Sequence, residues 1–124
     1  MIDFFRGKLD TVERVKELAD EHESISITAP TLMELATGAS LAESAKEKNQ
    51  LHAFLTSANV LPLDKHAALL AGDLNASLIT GGEMIEPMDV QIGAIAASQN
   101  ERLITRNAKH FDRIPGLDVE GCAA

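Results

Sequence analysis

Short segments of strand-forming residues alternate with longer segments of helical periodicity, and this alternation is the strongest constraint on the fold. In the run from Ser24 to Thr28, polar and β-branched residues alternate as they do in a half-buried strand. Strands that are separated by helices favour a parallel sheet with helices on both faces. We therefore predict an α/β protein, a three-layer α/β/α sandwich with a central parallel sheet. Its strands are expected near residues 24–28, 59–63, 102–105 and 117–120.

Proline, glycine and capping residues mark the expected helix boundaries. Pro30 suits the first turn of a helix, which we expect Gly38 to end. Asp64 suits the N-cap of a longer helix that runs to the glycine pair 81–82. Pro87 suits the start of a further helix after a polar loop. These signals place helices in the two longest intervals between the predicted strands.

Length and composition narrow the class of protein. A chain of 124 residues with 45% apolar residues can bury a core, and we expect residues 1–124 to form one domain. Cys122 is the only cysteine, which excludes an internal disulfide and a cysteine-rich zinc site. The sequence has no apolar run long enough to cross a bilayer and no signal-peptide pattern at its N-terminus. We therefore expect a cytoplasmic protein.

The charge of the chain is unevenly distributed. The net charge is −8, which argues against a broad surface for nucleic acid. Residues 102–113 nevertheless carry a local charge of +3, while the rest of the chain carries −11. The basic residues of this window are Arg102, Arg106, Lys109 and Arg113. The window suits contact with a phosphate backbone, although a merely solvated helix flank has the same pattern.

Three polar residues fall where a parallel sheet of this kind places a ligand. Glu34 follows the first predicted strand, Asn107 follows the third, and Asp89 lies in the first turn of the helix begun by Pro87. Ligands of such sheets bind beyond the carboxyl ends of the strands. Clustered carboxylates with an amide oxygen suit Mg²⁺ or Mn²⁺. Each residue also has a structural interpretation, as a solvated helix residue, a turn residue or a favourable charge at a helix N-terminus.

The histidines give no comparable signal. They lie at positions 22, 52, 66 and 110, and no pair has the i, i+4 spacing of metal ligands on a helix. We expect His110 to pack beside Phe111 rather than to act as a base.

Four segments, in this order, resemble the PIN domain family, and in particular its VapC-type toxins. Residues 28–39 (TAPTLMELATGA) resemble a strand that leads into a helix bearing an acidic metal ligand. Residues 85–94 (IEPMDVQIGA) resemble the loop and helix that carry the next aspartate. Residues 103–117, with LITRN, HF and IPGL, are similar to the C-terminal signature. Residues 2–7 resemble the start of the first helix.

This resemblance implies a function and a site. Members of the family are metal-dependent endoribonucleases that a cognate antitoxin silences. Glu34 and Asp89 match acidic metal positions, and Asn107 matches a position held by Asp or Asn, so these three are the implied catalytic residues. The implied cofactor is Mg²⁺ or Mn²⁺, and the basic window would retain RNA beside it. The implied partners are a VapB-like antitoxin and a second copy of the chain.

One element of the family pattern is missing from the resemblance. Family members carry a strand ending in an aspartate, a principal metal ligand, before the segment that residues 2–7 match. From this we expect weak activity or none. Two alternatives to a nuclease remain open at this stage. The first alternative is a catalytically degraded remnant that only binds an antitoxin or itself. The second is an unrelated small α/β binding module.

Overall fold

The structure, a computed structural model, describes residues 26–42, 45–105 and 108–121. These residues form four strands and five helices, and one or two helices follow each of the first three strands. The strands are β1 (Ser26–Thr28), β2 (Asn59–Leu61), β3 (Leu103–Thr105) and β4 (Val119–Gly121). The helices are α1 (Ala29–Leu41), α2 (Ala45–Leu55), α3 (Lys65–Thr80), α4 (Pro87–Ser98) and α5 (Ala108–Phe111). Each predicted strand is present, shortened or shifted by up to two residues where its segment is described.

All the pairing between described strands is parallel, as the alternation predicts. β1 pairs with β2, with Ile27 opposite Val60. β3 pairs with β4, with Ile104 opposite Glu120. Within the described residues these are two separate two-stranded sheets. The predicted strand residues 24 and 25, and the segment 2–7, lie outside the described part of the chain.

Local capping explains where two helices begin. Thr28 is the N-cap of α1, and its Oγ1 accepts a hydrogen bond from the Thr31 backbone N–H at 3.4 Å. Asp64 is the N-cap of α3, and its Oδ1 accepts from the Ala67 backbone N–H at 2.8 Å. The Asp64 cap predicted from the sequence is therefore confirmed. Capping of this kind stabilises a helix by about 1 kcal/mol.

The expected end of α1 at Gly38 is wrong. The helix continues to Leu41, and the backbone N–H of Ala42 still donates to the Gly38 carbonyl at 3.1 Å. A glycine in a helix costs only about 1 kcal/mol. The burial of Leu35 and Ala39, on the turns before and after it, offsets that cost.

The core centres on α4, which packs against α3, α1 and β1. Most residues of the helix are apolar, and each residue from Ile92 to Ala96 is buried. One cluster of buried residues joins α4 to β3 and Phe111, and another joins Ile27 to α1 and α2. None of the described helices has the length and apolar character that spanning a membrane requires. The packing of α4 against these elements buries Asp89 and Val90 in its first turn, whereas Pro87 at its start is exposed.

Candidate active site

Glu34 lies in the second turn of α1, at the edge of the buried face of that helix. The neighbouring Thr31 and Leu35 are almost completely buried, whereas the exposed Met33 faces solvent. The side chain of Glu34 is half-buried, and its Oε1 atom is shielded from solvent. The helix thus holds one carboxylate at the boundary between core and solvent, soon after the carboxyl end of β1.

Asp89 lies in the first turn of α4 and is only 2% exposed. Pro87 begins the helix, and Glu86 at the N-cap position makes no side-chain capping hydrogen bond. The positive end of the helix dipole stabilises a carboxylate here. Burial of a carboxylate is costly, however, and acidic residues are almost never fully buried unless they are paired or bind a metal. The burial of Asp89 therefore implies that its carboxylate is paired or binds a metal ion.

The structure brings His110 to this buried carboxylate. His110 Nδ1 lies 3.8 Å from Asp89 Oδ2, and the His110 side chain is 48% exposed. The sequence gives no signal of this contact. His110 has no metal-ligand spacing to another histidine, and its neighbour Phe111 indicates only packing. Phe111 is indeed fully buried, but His110 beside it points to Asp89.

The helices that carry the two carboxylates are in contact. α1 packs against α4, and β1 also contacts α4, so Glu34 and Asp89 lie on packed elements. The prediction that their oxygens are close enough to share a metal ion stays a prediction. Asn107 and Arg106 lie outside the described residues, and their predicted roles stay predictions too.

The donor chemistry of the site fits a hard divalent cation. Within residues 26–42, 45–105 and 108–121, no three His, Cys, Asp or Glu side chains are grouped so that they could hold a metal. Mg²⁺ needs no such group, since it keeps several waters and is held by one or two carboxylates. Glu34 and Asp89 are the described residues that could supply those carboxylates. The residues present thus suit a hard divalent cation rather than a softer metal.

The cations of the basic window differ in their surroundings. Arg102 precedes β3 and pairs with Asp118 at 3.0 Å and Glu120 at 3.3 Å. The hydrogen bond from Arg102 to Asp118, followed by the charge of Asp118, raises the pKa of the guanidinium. Lys109 is exposed on α5, and Arg113 donates from Nη1 to the Met84 carbonyl oxygen at 3.3 Å.

These differences separate Arg102 from the candidate site. It lies at the amino end of β3, whereas Lys109 and Arg113 follow the carboxyl end, on the side of His110. Two carboxylates already neutralise Arg102. Its predicted contact with RNA stays a prediction, as do the predicted RNA contacts of Lys109 and Arg113.

The chain has a parallel α/β fold with a buried carboxylate at the start of its central helix, and comparison with known protein families identifies the class of protein to which it belongs. The PIN domain family model matches residues 1–117, and the chain belongs to the PIN domain family. The family resemblance noted in the sequence is therefore confirmed.

Individual relatives within this family carry specific names. The chain is 33% identical over 111 residues to the tRNA(fMet)-specific endonuclease VapC of Salmonella typhimurium, covering 87% of this chain and 83% of the relative. It is 33% identical over 106 residues to the ribonuclease VapC2 of Rickettsia felis, covering 84% and 78% of the two chains. The crystal structure of DNA-bound VapBC from Salmonella typhimurium is similar with a TM-score of 0.74 and 26% identity, covering 98% of both chains. The predicted α/β fold is confirmed by this likeness.

Proposed function

We propose that this protein is a divalent-metal-dependent endoribonuclease, the toxin of a VapBC-type toxin–antitoxin pair. The observation that carries the proposal is the burial of Asp89 in the first turn of α4, at a position that matches an acidic metal position of the family. Two relatives at 33% identity are named as an endonuclease and a ribonuclease, which supports the same activity.

In this proposal one group of side chains binds the metal ion and another binds RNA. Glu34 and Asp89 hold the ion, Mg²⁺ or Mn²⁺, and Asn107 contributes an outer oxygen. When bound, such an ion activates a water molecule and stabilises charge on the scissile phosphate. Burial keeps Asp89 in a poorly screened environment, which strengthens its attraction to a cation. Lys109 and Arg113 retain the phosphate backbone beside the carboxylates.

The proposal is tested by removing the metal. We expect the purified 124-residue chain to cleave RNA weakly with Mn²⁺ or Mg²⁺. Cleavage should stop when EDTA chelates the metal and should recover when Mn²⁺ is restored in excess. Glu34→Gln should lower the rate, because it removes a charged ligand and keeps the side-chain shape. The matched control is Glu47→Gln on the exposed surface of α2, which should behave like wild type. Cleavage that persists in EDTA would contradict a metal-dependent mechanism.

Lys109 and Arg113 should contribute to RNA affinity by neutralising phosphates. We expect Lys109→Ala and Arg113→Ala to raise the Kd for single-stranded RNA. A plot of the logarithm of the association constant against the logarithm of the salt concentration has a negative slope. Each variant should make that slope less negative by about 0.7, the contribution of one neutralised phosphate on a single strand. Binding measured by fluorescence anisotropy at several salt concentrations gives both quantities.

Two further variants serve as controls for the salt dependence of RNA binding. Arg102→Ala should change the slope less than Lys109→Ala, because Asp118 and Glu120 already pair with Arg102. Lys48→Ala, on the exposed surface of α2, should leave the slope unchanged. Equal slopes for wild type and the Lys109 and Arg113 variants would remove the basic window from the proposed RNA site.

The proposed partner is a VapB-like antitoxin, in a cytoplasmic complex in which the toxin is a homodimer. The similar solved structure is described as a DNA-bound VapBC complex, which supports this assignment. Co-expression with the product of a neighbouring small reading frame should yield a stable complex in size-exclusion chromatography. Complex formation without RNA cleavage by the free chain would instead support the non-catalytic interpretation.

A further inference from the structure

The contact between His110 and Asp89 joins two elements that lie far apart in the sequence. Asp89 is in the first turn of α4 and His110 is in α5, after β3. The carboxylate side chain is 3% exposed and the imidazole 48% exposed, so His110 lies at the solvent side of a buried group. Because the Asp89 side chain is buried, protein groups rather than water surround its carboxylate. A side chain that approaches Oδ2 therefore influences how the carboxylate is oriented.

Packing around α5 holds His110 in this place. The next residue, Phe111, is fully buried, and Ile114 in the following turn is 2% exposed. Both lie close to Gly93 of α4, where an added Cβ would collide with Cδ1 of Ile114. This close approach between α4 and the segment after α5 is possible because residue 93 has no side chain. The backbone of His110 is therefore held against the helix that carries Asp89.

We propose that His110 is a positioning residue for Asp89. In the proposed role, Nδ1 of His110 donates a hydrogen bond to Oδ2 of Asp89 once the two atoms close from 3.8 Å, and this bond fixes the orientation in which Asp89 meets a divalent ion. The proposal rests on the proposed nuclease function, since that function assigns Asp89 to the metal. Partners that hydrogen-bond a ligating carboxylate keep it oriented, and their loss weakens metal binding.

The geometry allows the contact to tighten into a hydrogen bond. At 3.8 Å the two atoms are within ion-pair range but beyond the length of a hydrogen bond. The half-exposed imidazole has room for the small movement that closes this gap, whereas the buried carboxylate has little. Hydrogen bonds in catalytic sites commonly shorten as the reacting complex forms. The imidazole is therefore the group that moves, and Asp89 is the group that it holds.

The identity of the nitrogen makes the proposal specific. The side-chain amide of asparagine can occupy the place of Nδ1, since both are attached to the γ atom. The amide of glutamine instead reaches the place of Nε2. A role through Nδ1 therefore predicts that His110→Asn preserves the orientation of Asp89 and that His110→Gln and His110→Ala do not. A role as a simple filler of space predicts that glutamine, the larger amide, is the better replacement.

The experiment is a titration of each 124-residue variant with Mn²⁺ alone, by calorimetry at a fixed pH. We expect His110→Ala and His110→Gln to bind Mn²⁺ about 10-fold to 100-fold more weakly than wild type. His110→Asn should stay within a few-fold of wild type. The matched control is His52→Ala, a histidine exposed on α2, which should bind Mn²⁺ as wild type does. Thermal melting of each variant verifies that it is folded.

RNA cleavage by the same proteins separates this inference from the proposed function. Unchanged Mn²⁺ affinity in His110→Ala, with active wild type, overturns the role of His110 and leaves the nuclease standing. Equal weakening by asparagine and glutamine overturns the role of Nδ1. Weaker Mn²⁺ binding in His110→Ala together with a wild type that never cleaves RNA supports the positioning role and overturns the nuclease. A wild type that neither binds Mn²⁺ nor cleaves RNA overturns both.

Discussion

Asp89→Asn is expected to reduce metal-dependent RNA cleavage by about 10²-fold or more, the scale of loss when a reacting group is slightly misplaced. The substitution keeps the shape of the side chain and removes its charge. Asp89 is almost completely buried, so water cannot replace the lost carboxylate without disturbing the packing of α4. The loss should therefore appear as a lower single-turnover rate constant for cleavage and, by calorimetry, as a weaker Mn²⁺ affinity.

The control for this prediction is the same substitution at an exposed aspartate. Asp73→Asn, on the solvent side of α3, changes the net charge of the chain by the same amount and should keep wild-type rates. Because a neutral amide avoids the desolvation cost of a buried carboxylate, Asp89→Asn should melt at the temperature of wild type or above it. An Asp89→Asn protein that cleaves RNA at the wild-type rate would show that the site lies elsewhere.

Phe111→Ala is expected to lower the free energy of unfolding by about 3–5 kcal/mol, as large-to-small substitutions of buried aromatic residues do. Phe111 is fully buried in the cluster that joins α4, β3 and α5. α5 has only four residues, too few to be a stable helix without tertiary contacts. Removal of the ring should therefore release α5 and move His110 away from Asp89. Urea denaturation gives the loss of stability.

Phe54→Ala is the matched control for the local effect. Phe54 is 7% exposed in the other core cluster, which joins β1, α1 and α2. Its loss should destabilise the protein by a similar amount and, because it leaves α5 in place, should weaken Mn²⁺ binding less than Phe111→Ala does. Phe111→Leu keeps part of the apolar volume and should give a smaller loss if the alanine variant does not fold. Equal Mn²⁺ affinities for the Phe111 and Phe54 variants would show that α5 does not influence the metal site.

Elements whose cause is local were predictable from the sequence. The cap at Asp64 and the helix start at Pro87 depend on groups within one helical turn, and both agree with the structure. The parallel α/β class follows from the order of strands and helices, which the chain displays directly. Glu34 and Asp89 were selected by their positions after a strand and at a helix start, together with the family motif. The end of α1 was missed because burial on both sides of Gly38 outweighs the local preference of glycine.

Contacts between distant segments were decided only by the tertiary structure. The sequence marks Asp89 as acidic, but its burial results from the packing of α4 against α3, α1 and β1. The approach of His110 to Asp89 has no local signal, because it depends on how the chain after β3 folds back onto α4. Arg102 was counted with the basic window, although its charge is neutralised by carboxylates beside β4. Hydrogen bonds within a turn are set by neighbouring residues, whereas burial and charge pairing depend on which surfaces the whole chain brings together.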